Sequence, residues 1–280
     1  MVGRDRAKYE ITIKPRSQWW HLNLKELWLY RELAFIFSWR DIKVRYKQTA
    51  VGILWAVLQP VLTVVIFSFF FGKLANIPSD DIPYPVFAFM GIVFWNYFSI
   101  SLTNASNTII DNESIVKKVY FPRLILPISS AVTPIVDLMI ALTILVVMLF
   151  YYGFVPSLMS IVIVPILLIT SFLAASGLGL FLASINLKYR DVRYALPFFI
   201  QMLMYLTPVI YPSSLVGEKY QWILALNPMT GVIETARAGI LGVHPIDYQL
   251  LGIAVVIAIF MFVFGILNFK RAERFFADIA

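Results

Sequence analysis

Two pairs of carboxylates lie close enough in the sequence to divide acid and base duty or to share a divalent metal: Asp80 with Asp81, and Asp111 with Glu113. An integral-membrane enzyme acting on polyprenyl-linked sugars would need such a cluster at a membrane face. Both pairs are surrounded by turn-forming residues, where a solvated face is the expectation. His21 and His244 are far apart and fall on opposite sides of the topology derived below, so they cannot share a metal. Zero cysteines remove thiolate ligands and cysteine nucleophiles. Gly72-Lys73 resembles a fragment of a phosphate-binding loop, but Leu74 stands where a Ser or Thr would hold Mg, and Phe67 replaces the first glycine. No catalytic constellation and no metal or cofactor site is expected in this chain.

Asp137 is a different case, because it is the one charge between Arg123 and Lys188. An ionisable group inside an apolar span costs roughly 2.5–3.5 kcal/mol on insertion scales. It follows Pro134, which frees a backbone carbonyl, so a hydrogen-bonded or protonated structural aspartate is expected. Carriers driven by protons or sodium keep several such groups, which disfavours a secondary transporter.

The elements that position these residues follow from composition. The 280 residues are 60% hydrophobic and 14% charged, too little charge to cover a water-soluble surface. With about 20 apolar residues per crossing, the chain has room for about six spans and no second folded domain. Charge-free runs place them near 51–72, 86–110, 124–150, 158–185, 194–211 and 246–269. Residues 1–50 read as a segment on the basic side, and residues 51–280 as one all-α membrane domain. Within that segment, Leu22 to Arg40 mixes Trp28, Phe35, Phe37 and Trp39 with Lys25, Glu26, Arg31 and Glu32, as a helix at the membrane interface would. Residues 212–245 are too apolar for a solvated loop, yet Pro212, Gly217, Pro228, Gly231, Gly239, Gly242 and Pro245 interrupt them. Two short re-entrant helices beside a pathway fit that pattern.

Orientation comes from the basic residues. Twenty of the twenty-three Lys and Arg fall on one face, and only Lys73, Lys219 and Arg237 on the other, so both termini are expected in the cytoplasm. The net charge of +7 therefore calls for no nucleic acid. The aromatic share of 16% is high. Interfacial belts account for many of these rings, but Trp55, Phe67, Phe69, Phe70, Phe94, Trp95, Tyr97 and Phe98 lie mid-span, where stacked rings would suit a sliding glycan. Small residues recur every fourth position at Ala175, Gly179 and Ala183, and at Gly231, Thr235 and Gly239, allowing close helix contact within one chain or between two.

Four ordered blocks resemble the polysaccharide-export permeases, the membrane subunits of type-2 ABC exporters that move O-antigen, capsule or teichoic-acid polymers. The first is Arg40-Asp41-Ile42-Lys43-Val44-Arg45-Tyr46-Lys47-Gln48-Thr49, continuing through Gly52, Trp55 and Leu58-Gln59-Pro60. The second is Phe121-Pro122-Arg123 through Leu126-Pro127 to Ser129-Ser130, and the third Asn186 to Arg193. The last is Leu226-Asn227-Pro228-Met229-Thr230, reaching Glu234 and Arg237.

The resemblance implies a homodimer with two copies of a separate ATP-binding subunit that uses ATP and Mg, in a bacterial inner membrane. It implies an undecaprenyl-pyrophosphate-linked glycan as cargo. By the same likeness, Asp111 to Arg123 is the element that docks on the ATPase, with Asp111, Glu113, Lys117, Lys118, Phe121, Pro122 and Arg123 as its handles. Arg40, Lys43, Arg45, Tyr46, Lys47, Lys188, Arg190 and Arg193 would lie at the cytoplasmic mouth, facing the ATPase or the pyrophosphate. The competing readings are a type-2 ABC permease for a drug or lipid, and an intramembrane enzyme for polyprenyl-linked sugars.

Overall fold

The computed structural model describes residues 24–47, 52–189 and 191–273, and among them every regular element is helical. The expectations placed on His21, Gln48, Thr49, Arg190 and Arg274, and on the side chains of Lys47 and Trp55, fall outside the described residues. The chain enters through α1 (Leu24–Leu29) and α2 (Arg31–Lys47). It continues as α3 (Gly52–Phe67), which passes without a break into a π-helical turn, Ser68–Leu74. Then follow α4 (Tyr84–Asp111), α5 (Glu113–Lys118), α6 (Ile125–Val132) and α7 (Ile135–Tyr151). The rest comprises α8 (Ser160–Asn186), α9 (Val192–Leu206), α10 (Glu218–Ala225), α11 (Pro228–Leu241) and α12 (Tyr248–Ala272).

Five stretches are long and apolar enough to cross a membrane: Val57–Leu74, Tyr84–Asp111, Ile125–Tyr151, Ser160–Asn186 and Tyr248–Ala272. Where a span was expected near 194–211, the structure has a shorter apolar helix, Val192–Leu206. Thr207 is extended, as the residue before Pro208 prefers, so α9 stops at Leu206 after 15 residues. At 1.5 Å per residue it is about 22 Å long, against a hydrocarbon core of about 30 Å.

Local signals set the other boundaries. Pro83 and Pro85 start α4, where their missing N–H groups have no helical partner to lose. Pro134 divides the third span into α6 and α7. Asp247 caps α12 by accepting hydrogen bonds from the backbone N–H groups of Gln249 and Leu250.

The core is built around α4. Phe87, Phe89, Met90, Phe94 and Leu102 are fully buried among α7, α8, α9 and α11. Against it, α8 crosses α12 so closely that a Cβ on Gly265 would lie 2.1 Å from the Gly177 carbonyl oxygen, which leaves glycine as the residue that fits. The small-residue rows find their partners inside the chain: Gly179 faces Ala105, Gly231 faces Ala254 and Gly239 faces Ile163. Only Val64 of the Val57–Leu74 window is buried, the rest being half-buried or exposed, so the first span is thinly covered by its own chain.

Residues 212–245 do contain two short helices, and these differ from each other. α11 is buried along most of its length, whereas α10 buries no residue. A single 3-10 turn, Ser213–Leu215, precedes them.

Candidate coupling and gating site

The Asp111 to Arg123 segment is a short helix hung between two anchors. Asn112 ends α4 and begins α5, and its Nδ2 donates to the Thr108 carbonyl at 2.8 Å. Glu113, Lys117 and Lys118 are exposed on α5, with Glu113 and Lys117 paired at 2.8 Å. At the far end Phe121 and Pro122 are buried, and the Phe121 ring packs on Phe37 of α2 with centroids 5.7 Å apart. The charged residues of α5 are therefore its accessible handles. Phe121 and Pro122, grouped with them from the sequence, instead fix the loop to the body of the molecule.

α2 ties this loop to the spans. Arg40 Nη2 donates to Asn112 Oδ1 at 2.9 Å while Nε and Nη2 hold Asp41. Ser38 donates to the Ser129 carbonyl. From the other side Arg193, at the head of α9, pairs with Asp111 at 3.2 Å, and Asn186 at the end of α8 donates to Asn107. Asp111 and Asn112 thus join α4, α5, α2 and α9 at one corner. Beside it opens a cavity of about 510 Å³ lined by Arg40, Arg45, Asn104, Thr108, Asn112 and Ser130, among others.

Asp137, unassigned beyond a structural role from sequence, completes the picture. It sits in the first turn of α7, with Oδ2 2.9 Å from Arg45 Nη1, and its Oδ1 accepts a hydrogen bond from Tyr46. Arg45 and Tyr46 were read only as mouth residues. Their partner is the one acid inside the Ile125–Tyr151 stretch, and the pairing offsets charges that would be costly in an apolar span. Burial, and then the facing carboxylate, raise the Tyr46 hydroxyl above its usual value of 10, so it donates as a neutral phenol. A small cavity of about 50 Å³, shared by Arg45, Gln59, Asn96, Tyr97 and Asp137, lies between these groups.

Of the other basic residues, Lys43 stands over the Trp39 ring at 5.2 Å and Lys188 over Tyr189 at 5.3 Å. The predicted aromatic conduit divides. Phe94, Trp95, Tyr97 and Phe98 are buried within the chain and fill its core, so in this conformation they line no path. Phe69 and Phe70 are exposed and Phe67 is half-buried. An aromatic row missed from the sequence, Tyr194, Phe198 and Tyr205, is exposed along α9 at helical spacing. The alternation of aromatic positions with the buried Leu196 and Ile200 was the signal that could have found it.

At the opposite end, Asn227 and Arg237 grip the break after α9. Asn227 accepts from the Met229 N–H, as an N-cap does, while its Nδ2 donates to Thr207 Oγ1 at 2.7 Å. Buried Arg237 donates to the carbonyls of Pro208 and Val209 at 2.9 and 2.8 Å, pairs with Glu234 at 3.1 Å, and lies 3.5 Å from the centre of the Phe87 ring. Pro228 begins α11. Asp80, Asp81 and His244 line a cavity there; Asp80 accepts from Ser214.

Compared with known families, residues 32–241 match the family described as ABC-2 type transporter. The chain belongs to that family. Three relatives extend the likeness of this ABC-2 chain. An O-antigen export system permease protein, RfbA of Klebsiella pneumoniae, is 30% identical over 89% of this chain and 95% of its own. An RfbA of Myxococcus xanthus is 30% identical over 77% of this chain and 82% of its own. The polysialic acid transport protein KpsM of Escherichia coli is 24% identical over 72% of this chain and 78% of its own. An ABC-2 chain is the membrane permease of a transporter and not an enzyme, and the ATPase activity resides on a separate subunit.

Proposed function

We propose that this ABC-2 chain is the channel-forming half of an exporter that carries polyprenyl-diphosphate-linked polysaccharide, of the O-antigen, capsule or teichoic-acid kind, across a bacterial inner membrane. The observation that carries the reading is the match along 89% of the chain to a permease of O-antigen export. In this reading α9 is a short fifth span that brings the total to six, α10 and α11 form the re-entrant pair, and the basic face with both termini is cytoplasmic. Two copies enclose the path, each served by one copy of an ATP-binding subunit. The sparse coverage of the first span supports a second chain against it.

Mechanistically, an ATPase acts on a channel only through contacts that differ between its states. The exposed charges of α5 supply such contacts, and Asp111 and Asn112 pass a displacement to α9 through Arg193 and to α2 through Arg40. Arg40 and Arg45, with Lys43, Lys188 and Arg193 nearby in the basic face, offer the mouth to a diphosphate. Phe67, Phe70 and the α9 aromatic row offer stacking surfaces to sugar rings.

Co-expression with ATP-binding subunits, followed by purification and by assay of surface polysaccharide, tests this. A stable complex is expected, and replacing Glu113 and Arg123 should abolish export from a folded permease. Unchanged export after that replacement would remove the coupling assignment, and failure to find any ATPase partner would remove the exporter reading.

A further inference from the structure

We infer that Asp137 is an intramolecular stand-in for the phosphate of the transported lipid: it holds Arg45 while the mouth is empty and releases it to the diphosphate group when substrate enters. This rests on the proposed lipid-diphosphate cargo and goes beyond it by assigning a competitor within the protein.

Three observations carry the assignment. Arg45 is the one described side chain common to the linings of the 510 Å³ cavity at the basic end and the 50 Å³ cavity beside Asp137. Its side chain therefore borders both a space roomy enough for a headgroup and the small chamber that holds Asp137. Second, its hold on Asp137 is incomplete. Oδ2 of Asp137 is buried 2.9 Å from Arg45 Nη1, yet the contact lacks the alignment of a hydrogen bond. A guanidinium meets a phosphate through two parallel hydrogen bonds, a better-aligned pairing than the Arg45–Asp137 contact.

Third, the two carboxylates that line the larger cavity are held by other cations, Asp41 by Arg40 and Asp111 by Arg193, whereas Asp137 lies behind Arg45 in the smaller one. Asp137 is thus the acid whose cation a phosphate could take. Its charge does not stay bare once Arg45 leaves. Tyr46 still donates to Oδ1, and the 50 Å³ chamber with Gln59 and Asn96 has room for one or two waters behind the departing guanidinium. Asp137 acts through Arg45 and touches no substrate, so it is a positioning residue.

The test uses the permease with its ATP-binding subunit in lipid nanodiscs, titrated with farnesyl diphosphate and with farnesol as the uncharged control. Asp137→Asn keeps an acceptor for Tyr46 but removes the competing charge, and should tighten farnesyl diphosphate binding by about five-fold. Asp137→Glu, which keeps the charge, should return the affinity to that of the unmodified protein. In an Arg45→Gln background, Asp137→Asn should have no effect on binding. Thermal unfolding of each variant separates these effects from loss of fold.

Equal affinity of Asp137→Asn and the unmodified protein, with binding still weakened by Arg45→Gln, would overturn the exchange and leave the headgroup site standing. Binding of farnesyl diphosphate no tighter than farnesol would overturn the headgroup site itself. Competition by inorganic pyrophosphate but not by phosphatidylglycerol supports a diphosphate at Arg45. Equal competition by phosphatidylglycerol would assign Arg45 to bulk lipid instead and overturn the proposal.

Discussion

Arg193 Nη2 lies 3.2 Å from Asp111 Oδ1, joining the head of α9 to the foot of α4 at the point where α5 begins. Both side chains are about half exposed, so the pair adds under about 1 kcal/mol to stability. Its value lies in carrying movement from α5 to α9. Asp111→Arg and Arg193→Asp should each lower polysaccharide export while leaving the unfolding temperature nearly unchanged. The double exchange should recover export, measured as surface polymer.

Arg40 supplies the parallel connection to α2. Because it holds Asp41 and Asn112 at once through a planar fork, Lys is no substitute. Arg40→Lys and Asn112→Ala should both uncouple ATP hydrolysis from export, read as ATPase turnover that persists while polymer transport falls.

Buried Arg237 holds three backbone carbonyls and Glu234. Arg237→Met removes the partner of a half-buried carboxylate and leaves those carbonyls unmet. The expected loss is about 3–5 kcal/mol, seen as a lower unfolding temperature and less protein in the membrane. Arg237→Lys should rescue little, since one ammonium cannot reach every acceptor.

The two classes of aromatic ring should respond differently. Phe94→Ala opens the core and should cost about 3–5 kcal/mol, whichever polymer is exported. Phe70→Leu and Phe198→Leu change exposed rings, so stability should hold while export of the polymer slows.

Close packing gives a final test. Gly265→Ala places a methyl group 2.1 Å from the Gly177 carbonyl oxygen, and α8 and α12 must separate to admit it. A destabilisation of about 1–3 kcal/mol is expected, checked by thermal unfolding in detergent.

Long apolar runs made the major spans legible, because a charge-free stretch of sufficient length has few other fates. The helix expected near 194–211 was read too long because Tyr211 continues the apolar run past Thr207 and Pro208, and hydropathy does not register a backbone that turns extended. Asp137 was visible as an isolated acid, but its partner was not. Arg45 precedes the first span in sequence and meets Asp137 at the head of α7 because α2 packs along α6. Phe94, Trp95 and Tyr97 illustrate the other limit: ring chemistry is the same in a core and on a path, and only the neighbours around α4 distinguish them. Phe121 and Pro122 were misgrouped with their charged neighbours for the same reason, since loop position says nothing about which side chains turn inward.

The pairing of Arg45 with Asp137 also constrains how the protein is made. Arg45 leaves the ribosome before the first span, and Asp137 only after two spans have been threaded into the bilayer. The Ile125–Tyr151 stretch therefore brings Asp137 to a counter-charge made before it. In this one pair the early chain serves as a template for the later one.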